Sequence, residues 1–252
     1  MITFGQVELS LESIRKVYAR ILDSDARAIV LPAAKSLVQP TWEHYEYTRK
    51  NRARGIVLAP WGYTIDHAQP LRFIPVRVNG IELQVDIYCD IRWENDDHPV
   101  TQDIKIRIWS NHPGIGFDPM RDAAPLEESM IDPIRPYLGR VISRVHFDRA
   151  NTGQPGPQYH LQFGGKPEPY ELCWHPESVK VPRLEYQPME LFLTCQLIAA
   201  NFFPDEYADI HQRSEWRQQL IWCQELLLLS HYERCLTAIR NKDSLLDALS
   251  VR

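Results

Sequence analysis

The sequence lacks the cysteine pattern of a disulfide framework or of a thiolate zinc site. Its 252 residues include five cysteines, an odd number, and none of them forms a C-x-x-C pair. Disulfide-rich domains and zinc ribbons depend on such patterns. Cys195, Cys223 and Cys235 lie instead in apolar stretches with helical spacing, where a reduced cysteine packs as a small hydrophobic residue. We therefore expect a reduced, cytoplasmic protein.

Long hydrophobic runs and an excess of basic residues are also missing. The longest apolar runs, such as 226–229, are far shorter than the roughly 20 residues that a membrane-spanning helix needs. The first residues, MITFGQVELSLESIRK, show no basic region followed by an apolar run, so we expect no signal peptide. The net charge of −5 argues against a broad basic surface for nucleic acid. We expect no membrane partner.

The motifs of several large enzyme classes are absent. The chain contains no Walker A loop, no G-x-G-x-x-G, no G-x-S-x-G and no H-E-x-x-H. Nucleotide hydrolysis, dinucleotide redox chemistry and serine hydrolysis depend on these motifs, so the sequence argues against all three. We expect no cofactor, and the interpretation that we favour assigns no metal ligand.

The sequence predicts helices at both ends of the chain. Apolar residues recur at helical spacing after Ser10, a good N-cap residue, and a second helical stretch is predicted over 33–52. After Pro188 the spacing is helical again. It predicts one helix over 189–203 and a longer one over 214–240.

Between the helices the apolar residues alternate with polar ones, which indicates strands. Asn79 and Gly80 separate two alternating runs, and this dipeptide is a strong signal for a two-residue hairpin turn. Pro75 places the first of the two strands at a sheet edge or a bulge. The turn predicts three facing pairs, which are Val78 with Ile81, Val76 with Leu83, and Ile74 with Val85.

These elements together predict an α+β fold. We expect an antiparallel sheet of about six strands within residues 71–175, with an N-terminal helix and a C-terminal helical segment packed on one face. No shift in composition demands a domain boundary, so residues 1–252 are taken as a single domain. A division into subregions 1–125 and 126–252 is left open.

The first candidate site is a predicted hairpin, RVHFDRANTGQPGPQYHLQFGG, over 144–165. Arg144, His146 and Asp148 alternate along its first strand, on the side opposite the apolar residues. His160 occupies the same side of the second strand. A symmetric closure of the Gly/Pro loop predicts that His146 faces His160 and that Asp148 lies diagonal to His160.

This hairpin admits three interpretations. Two imidazoles and a carboxylate are a common ligand set for a transition metal. Two histidines could instead act as base and acid on a phosphodiester, with the Arg144 guanidinium stabilising the developing charge. We favour the third, a structural polar face that a loop covers, since short motifs have low specificity. Imidazoles that converge in an open cleft would indicate an enzyme, and burial would indicate a scaffold.

The second candidate site combines Asp90 with Asp103 and Lys105. This D…D-x-K spacing resembles the core of restriction-type nucleases, in which two carboxylates hold a divalent ion beside a lysine. The apolar faces predict, however, that Asp90 lies opposite Lys105 and Arg92 opposite Asp103. Such cross-strand ion pairs are an ordinary way to stabilise a sheet, so we favour the structural interpretation.

The third candidate is the basic run TRKNRARG. Its four cations, Arg49, Lys50, Arg52 and Arg54, could bind nucleic acid or an acidic protein partner. A solvated helix end, where cations suit the helix dipole, is the interpretation that we favour.

Three segments resemble a group of uncharacterised bacterial proteins. The segments are GRVISRVHFDRANTGQPGPQYHLQFGG, CWHPESVKVPRLEYQP and LIAANFFPDEY, within residues 139–207. The shared pattern is H-F-D, then H-L-x-x-G-G, a P-R segment and N-F-[YF]. The resemblance implies gene neighbourhoods of mobile elements and antiviral defence, and so a role beside proteins encoded nearby. It implies no reaction.

Two functions therefore remain open. We favour a non-enzymatic accessory or interaction subunit of a bacterial multiprotein complex, in antiviral defence. The wide apolar stripe of the 214–240 helix would serve as its partner surface if one side stays exposed. The alternative is a His/Asp-dependent or metal-dependent nuclease or phosphodiesterase that uses His146, Asp148 and His160, with Arg144.

Overall fold

The structure, a computed structural model, describes residues 4–30, 61–93, 99–110, 140–150, 157–164 and 183–245. The helix predicted over 33–52 lies outside the described residues. Within the described ranges the chain folds as a mixed α+β protein, with an antiparallel sheet, an N-terminal helix and a C-terminal helical segment. The predicted fold class is confirmed.

The described part of the sheet has eight strands, two more than predicted. Its order is β1-β4-β5-β6-β7-β8, and β2 and β3 also pair with β4. The strands are β1 (Trp61–Ile65), β2 (Leu71–Arg72), β3 (Val76–Val78), β4 (Ile81–Trp93), β5 (Pro99–Ser110), β6 (Arg140–Arg149), β7 (Tyr159–Phe163) and β8 (Leu184–Glu185). The sheet thus extends beyond the predicted limits, 71–175, at both ends. Of the described strands, β4 is the longest, and it pairs with β1, β2, β3 and β5.

The turn between β3 and β4 has the predicted geometry. Asn79 and Gly80 both adopt positive φ angles, 51° and 82°, which a two-residue type I′ turn requires. The first two predicted pairs, Val78 with Ile81 and Val76 with Leu83, are confirmed.

The third predicted pair of this hairpin is wrong. The Phe73 amide, not that of Ile74, donates to the Val85 carbonyl at 3.0 Å. The pairing therefore shifts by one residue between β2 and β3, at Pro75. Proline has no N–H to donate to a ladder, which explains the interruption and confirms the expected bulge or edge.

The predicted register between β4 and β5 is wrong by two residues. Asp90 lies opposite Asp103, and Lys105 lies opposite Tyr88. Arg92 lies opposite Thr101. The predicted faces are correct, because a shift by two residues leaves each side chain on the same side of the sheet. The alternation of apolar residues thus determines the face but not the partner.

The hairpin of β6 and β7 shows the same error. His146 lies opposite Gln162, not opposite His160, and Asp148 lies directly opposite His160 instead of diagonal to it. Loop symmetry was a poor guide because a long connection does not determine register, whereas a two-residue turn does.

The first helix, α1 (Phe4–Val17), begins before the predicted N-cap. Val7 is buried one turn ahead of Leu11 and Ile14, so the buried stripe continues through the residues that were expected to precede the helix. Ser10 lies inside α1, and its hydroxyl donates to Glu190 Oε2 at 3.5 Å. A second helical segment covers 24–30.

The C-terminal segment is helical as predicted. It comprises α2 (Leu191–Phe202), α3 (Pro204–His211), α4 (Ser214–Cys223), a π-helical turn (Gln224–Leu228) and α5 (Leu229–Asn241). The predicted end of the 189–203 helix before Pro204 is confirmed, and α4 to α5 matches the predicted helix over 214–240. Of the described helices, none combines the length and apolarity that crossing a membrane would require.

The core lies between the helices and the apolar face of the sheet. Sheet residues such as Ile87 and Ile106 belong to one buried cluster with residues of α1 and α2. The Tyr18 and Phe192 rings are 5.4 Å apart between centroids, and Phe73 stacks on Phe203. Burial of this apolar area is the main stabilising term of the fold. The four cysteines in the described ranges are free, as expected of reduced thiols.

The opposite side of the sheet, here the polar face, is buried at several positions, as the favoured structural interpretation of the hairpin predicted. Asp86, Tyr88, Arg144, His146 and His160 are all buried on it. The polar face comprises Asp86, Tyr88 and Asp90 of β4, Asp103, Lys105 and Arg107 of β5, Arg144, His146 and Asp148 of β6, and His160 and Gln162 of β7. Buried polar side chains need partners, so this face holds either structural networks or a site.

Candidate metal site

The polar face brings the two sequence candidates together into one row. Asp90, Asp103, Asp148 and His160 lie directly opposite one another on four successive strands. Directly opposed residues have Cβ atoms about 4.5–5.5 Å apart, so each member of the row lies beside the next. Two pairs in the row, Asp90 with Asp103 and Asp103 with Asp148, place like charges opposite each other, which destabilises a sheet. Asp90 forms an ion pair with Arg92, whereas Asp103 and Asp148 face each other at the centre of the row.

His146 completes a cluster with this pair. One ligand atom from each of Asp103, His146 and Asp148 lies within 4.8 Å of the other two. The His146 side chain is buried, whereas Asp103 and Asp148 keep 39% and 26% of their side-chain surface exposed. In the described ranges, His146 Nε2 is buried without a hydrogen-bond partner. The cluster is therefore reached from the carboxylate side.

The environment keeps a proton on Asp148 to unusually high pH. Burial, and then the neighbouring Asp103 carboxylate, raise the pKa of Asp148 from 3.8 to about 7, and Lys105 and Arg183 act in the opposite direction. Near neutral pH Asp148 is therefore partly protonated, and a cation can take the place of its proton. A divalent ion between Asp103 and Asp148 would replace the proton and remove the repulsion.

The same environment keeps His146 neutral. Burial, and then the charges of Lys105 and Arg144, lower the pKa of His146 to about 3. A neutral imidazole is the form that binds a metal ion. Two carboxylates and one neutral imidazole suit magnesium, manganese or zinc-like divalent ions.

Two further side chains border the cluster. Lys105 Nζ lies 3.1 Å from Asp103 Oδ2 and 5.5 Å from the centre of the Tyr88 ring. His160 Nε2 lies 3.8 Å from Asp148 Oδ2, which is longer than a hydrogen bond. Burial, and then Arg183, lower the pKa of His160. Both side chains can contact a ligand that binds to the carboxylates.

The fourth carboxylate of the polar face, Asp86, has a different role. It is completely buried and accepts from Arg72 Nε at 3.1 Å, from an Arg107 guanidinium nitrogen at 2.7 Å and from Trp109 Nε1 at 3.0 Å. With three donors its oxygens are satisfied. Asp86 is therefore a structural anion that joins β2, β4 and β5.

The structure brings several of the sequence candidates to one face of the sheet. His146, Asp148 and His160 do share one face, and Arg144, nearly fully buried, lies on the same side opposite Arg107. Asp103 was predicted to belong to a different site from His146 and Asp148, because nothing in the sequence reveals that β5 pairs with β6. The basic residues Arg49, Lys50, Arg52 and Arg54 lie outside the described residues.

Comparison with known proteins yields no match: no family model, no curated protein and no solved structure corresponds to the chain. The resemblance to a bacterial group with the H-F-D and H-L-x-x-G-G pattern stays a prediction.

Proposed function

We propose that the chain is a divalent-metal-dependent hydrolase of phosphoesters, with Asp103, His146 and Asp148 as the metal ligands. The observation that carries this proposal is the facing carboxylate pair beside an unpartnered, buried imidazole nitrogen. A sheet that needed His146 only for stability would give its buried Nε2 atom a hydrogen-bond partner, as it gives donors to the Asp86 carboxylate.

The burial of His146 and His160 bears on two of the earlier interpretations. Burial was expected of a scaffold, but a scaffold histidine would be hydrogen-bonded, and His146 Nε2 has no such bond within the described ranges. A pKa near 3 also makes His146 a weak general base at neutral pH. The metal-dependent mechanism is therefore favoured over the mechanism with two histidines as base and acid.

Each side chain has a definite task in the proposed reaction. A bound divalent ion would supply a water molecule of lowered pKa and would neutralise phosphoryl charge. Asp103, His146 and Asp148 would hold the ion, and the Lys105 ammonium group beside Asp103 would pair with a phosphoryl oxygen. The water would lose a proton to solvent and add to phosphorus, the P–O bond to the leaving alcohol would break, and the alcohol would take up a proton from solvent.

The test is hydrolysis of bis(p-nitrophenyl) phosphate by chain that has been stripped of metal and then given Mn²⁺ or Mg²⁺. We expect turnover only with added cation, and a loss on the order of 100-fold or more in Asp103→Asn and in Asp148→Asn. Asp209→Asn is the matched control, because Asp209 is exposed and pairs only with Arg20 among the described contacts. Hydrolysis that survives chelation, or no cation binding by calorimetry, would contradict the proposal.

A second candidate function, an interaction subunit, is supported by the exposed side of α5. Leu229, Tyr232, Leu236 and Ile239 keep between 44% and 57% of their surface exposed. Their spacing of three, four and three residues is that of a coiled-coil seam. The role as an accessory subunit in bacterial defence stays a prediction.

We propose a second copy of this chain as the occupant of the α5 seam. Glu233 lies in the first half of α5 and Arg240 in the second half, both exposed. Two antiparallel copies would therefore place Glu233 of each near Arg240 of the other, and opposite charges beside an apolar seam select that orientation.

Sedimentation velocity over a range of concentrations tests this arrangement. We expect a dimer for the parent chain and a shift toward monomer, by at least tenfold in the dissociation constant, for Leu236→Glu. Thr237→Glu is the control, since Thr237 is exposed on the same helix but outside the seam. A parent chain that stays monomeric, or that instead binds a different protein through this seam, would overturn the homodimer.

A further inference from the structure

A second cluster of metal-ligating side chains lies where α5 meets the edge strand β8. His231 and Cys235 are one turn apart on α5, and Glu185 belongs to the edge strand β8. One ligand atom from each of the three lies within 4.8 Å of the other two. None of them belongs to the Asp103 cluster.

The distance between the helical pair matches zinc geometry. Cys235 Sγ and His231 Nε2 are 3.8 Å apart. In a tetrahedral site with Zn–S near 2.3 Å and Zn–N near 2.0–2.1 Å, these two atoms would be separated by about 3.6 Å. The pair therefore needs only a few tenths of an ångström of adjustment to bind one ion.

The surroundings hold His231 in a form that can bind metal. The side chain is buried, and the Tyr159 ring packs edge-on at 6.1 Å between centroids. Burial, and then the charge of Arg234, lower the pKa of His231, so that the imidazole is neutral. Its Nδ1 atom has no hydrogen-bond partner in the described ranges, so no bond orients the ring for another purpose.

A cysteine–histidine catalytic dyad is the competing chemistry, and the structure disfavours it. A nucleophilic cysteine needs a lowered pKa, whereas burial, and then Glu185, raise the pKa of Cys235. The Sγ–Nε2 distance of 3.8 Å also leaves at most a weak hydrogen bond. Without a metal this thiol stays protonated.

We propose that Glu185, His231 and Cys235 form a second metal site, specific for a zinc-class divalent ion. The ligands are a carboxylate oxygen of Glu185, Nε2 of His231 and Sγ of Cys235, with the fourth tetrahedral position open to water or another ligand. On binding, the Cys235 S–H bond breaks, a sulfur–metal bond forms, and the proton passes to solvent. The ion connects α5 to β8, a strand of only two residues.

Cobalt(II) is the probe, because it reports sulfur ligation directly. Metal-free chain is titrated with Co²⁺ under reducing conditions, and a thiolate-to-cobalt charge-transfer band in the near ultraviolet is followed. We expect the band in the parent chain, its loss in Cys235→Ser, and at least a tenfold weaker affinity in His231→Gln. Addition of Zn²⁺ should displace the cobalt, and it should raise the unfolding temperature of Cys235→Ser by less than that of the parent chain, because the variant keeps only the first cluster.

Two control variants separate this site from other effects. Asp103→Asn removes a ligand of the first cluster, which has no sulfur, and should leave the band unchanged. Glu233→Gln changes an exposed carboxylate on the same helix and should also leave it unchanged. No band at saturating Co²⁺, or a band that persists in folded Cys235→Ser, would overturn the proposal, whatever the result for phosphoester hydrolysis.

Discussion

Replacing Asp148 with asparagine is expected to stabilise the metal-free protein at pH 8. Burial and the facing Asp103 raise the pKa of Asp148 to about 7 in the folded chain, against 3.8 as its ordinary value. Between these two pH values the folded state holds a proton that the unfolded state has lost, so the free energy of unfolding falls as pH rises. Above pH 7 Asp148 is ionised in the folded chain, and the repulsion between its buried charge and Asp103 then lowers the free energy of unfolding in full.

The gain in the free energy of unfolding from Asp148→Asn increases with pH. We expect Asp148→Asn to raise the free energy of unfolding by on the order of 2 kcal/mol at pH 8, with a smaller gain at pH 5 and almost none near pH 3.5. Titration of His146, whose pKa burial lowers to about 3, has the opposite pH dependence. Because both proteins contain His146, the difference between them isolates Asp148.

Urea denaturation in the presence of a chelator, at these pH values, provides the measurement. The same variant should lose the stabilisation that Mn²⁺ confers on the parent chain, since it lacks one ligand. Equal stability of the two proteins at pH 8, or a gain that does not change with pH, would mean that the facing carboxylates do not repel each other in the folded chain.

Asp86→Ala is expected to have the opposite and larger effect. Asp86 is completely buried and binds Arg72, Arg107 and Trp109. Removing one partner of a buried ion pair leaves the remaining charge uncompensated, which costs about 3–5 kcal/mol. The Arg107 side chain has little exposure of its own, so water cannot fully replace the lost carboxylate.

Asp90→Ala is the matched control for this variant. Asp90 lies four residues along the same strand, on the same face, and pairs with Arg92 and Thr64 near the surface. Exposed ion pairs contribute about 0–1 kcal/mol, so the control should remain close to the parent chain in urea midpoint. Similar losses in both variants would contradict the assignment of Asp86 as the structural carboxylate of the polar face.

The contrast between Asp86 and Asp148 also shows where the sequence was informative. The alternation of apolar residues correctly placed both carboxylates on the side of the sheet away from the helices. It could not tell them apart, because their roles depend on cross-strand neighbours. Asp86 faces an arginine on β5, and Asp148 faces an aspartate there.

Register was the missing information. The Asn79-Gly80 turn determined its two nearest pairs, because a two-residue turn leaves no freedom. The β4–β5 and β6–β7 connections are longer, and both predicted registers were wrong by two residues. Because of this error, Asp90 was predicted to face Lys105 and Asp103 to face Arg92, as in two salt bridges. In the structure the two aspartates face each other, as part of the row that continues to Asp148 and His160.

The histidine and cysteine of the proposed second metal site could have been recognised in the sequence as a pair on one helix. His231 and Cys235 are four residues apart, a spacing that places both side chains on one side of a helix. Glu185 could not have been added, because only the folded chain brings β8 to that helix. The burial of His146 and His160 agrees with the interpretation of a covered polar face, although a strand pattern does not reveal what packs against its polar side.

The π-helical turn over 224–228 determines which side of the last helix meets the sheet. Trp216 and Cys223 are seven residues apart and buried, as are His231 and Ala238, but the interval from Cys223 to His231 is eight. One additional residue in a helix rotates everything after it by about 100°. In an uninterrupted α-helix of this sequence, the side chains of His231 and Cys235 would point away from β8. The cluster of Glu185, His231 and Cys235 therefore depends on the one additional residue in the π-helical turn.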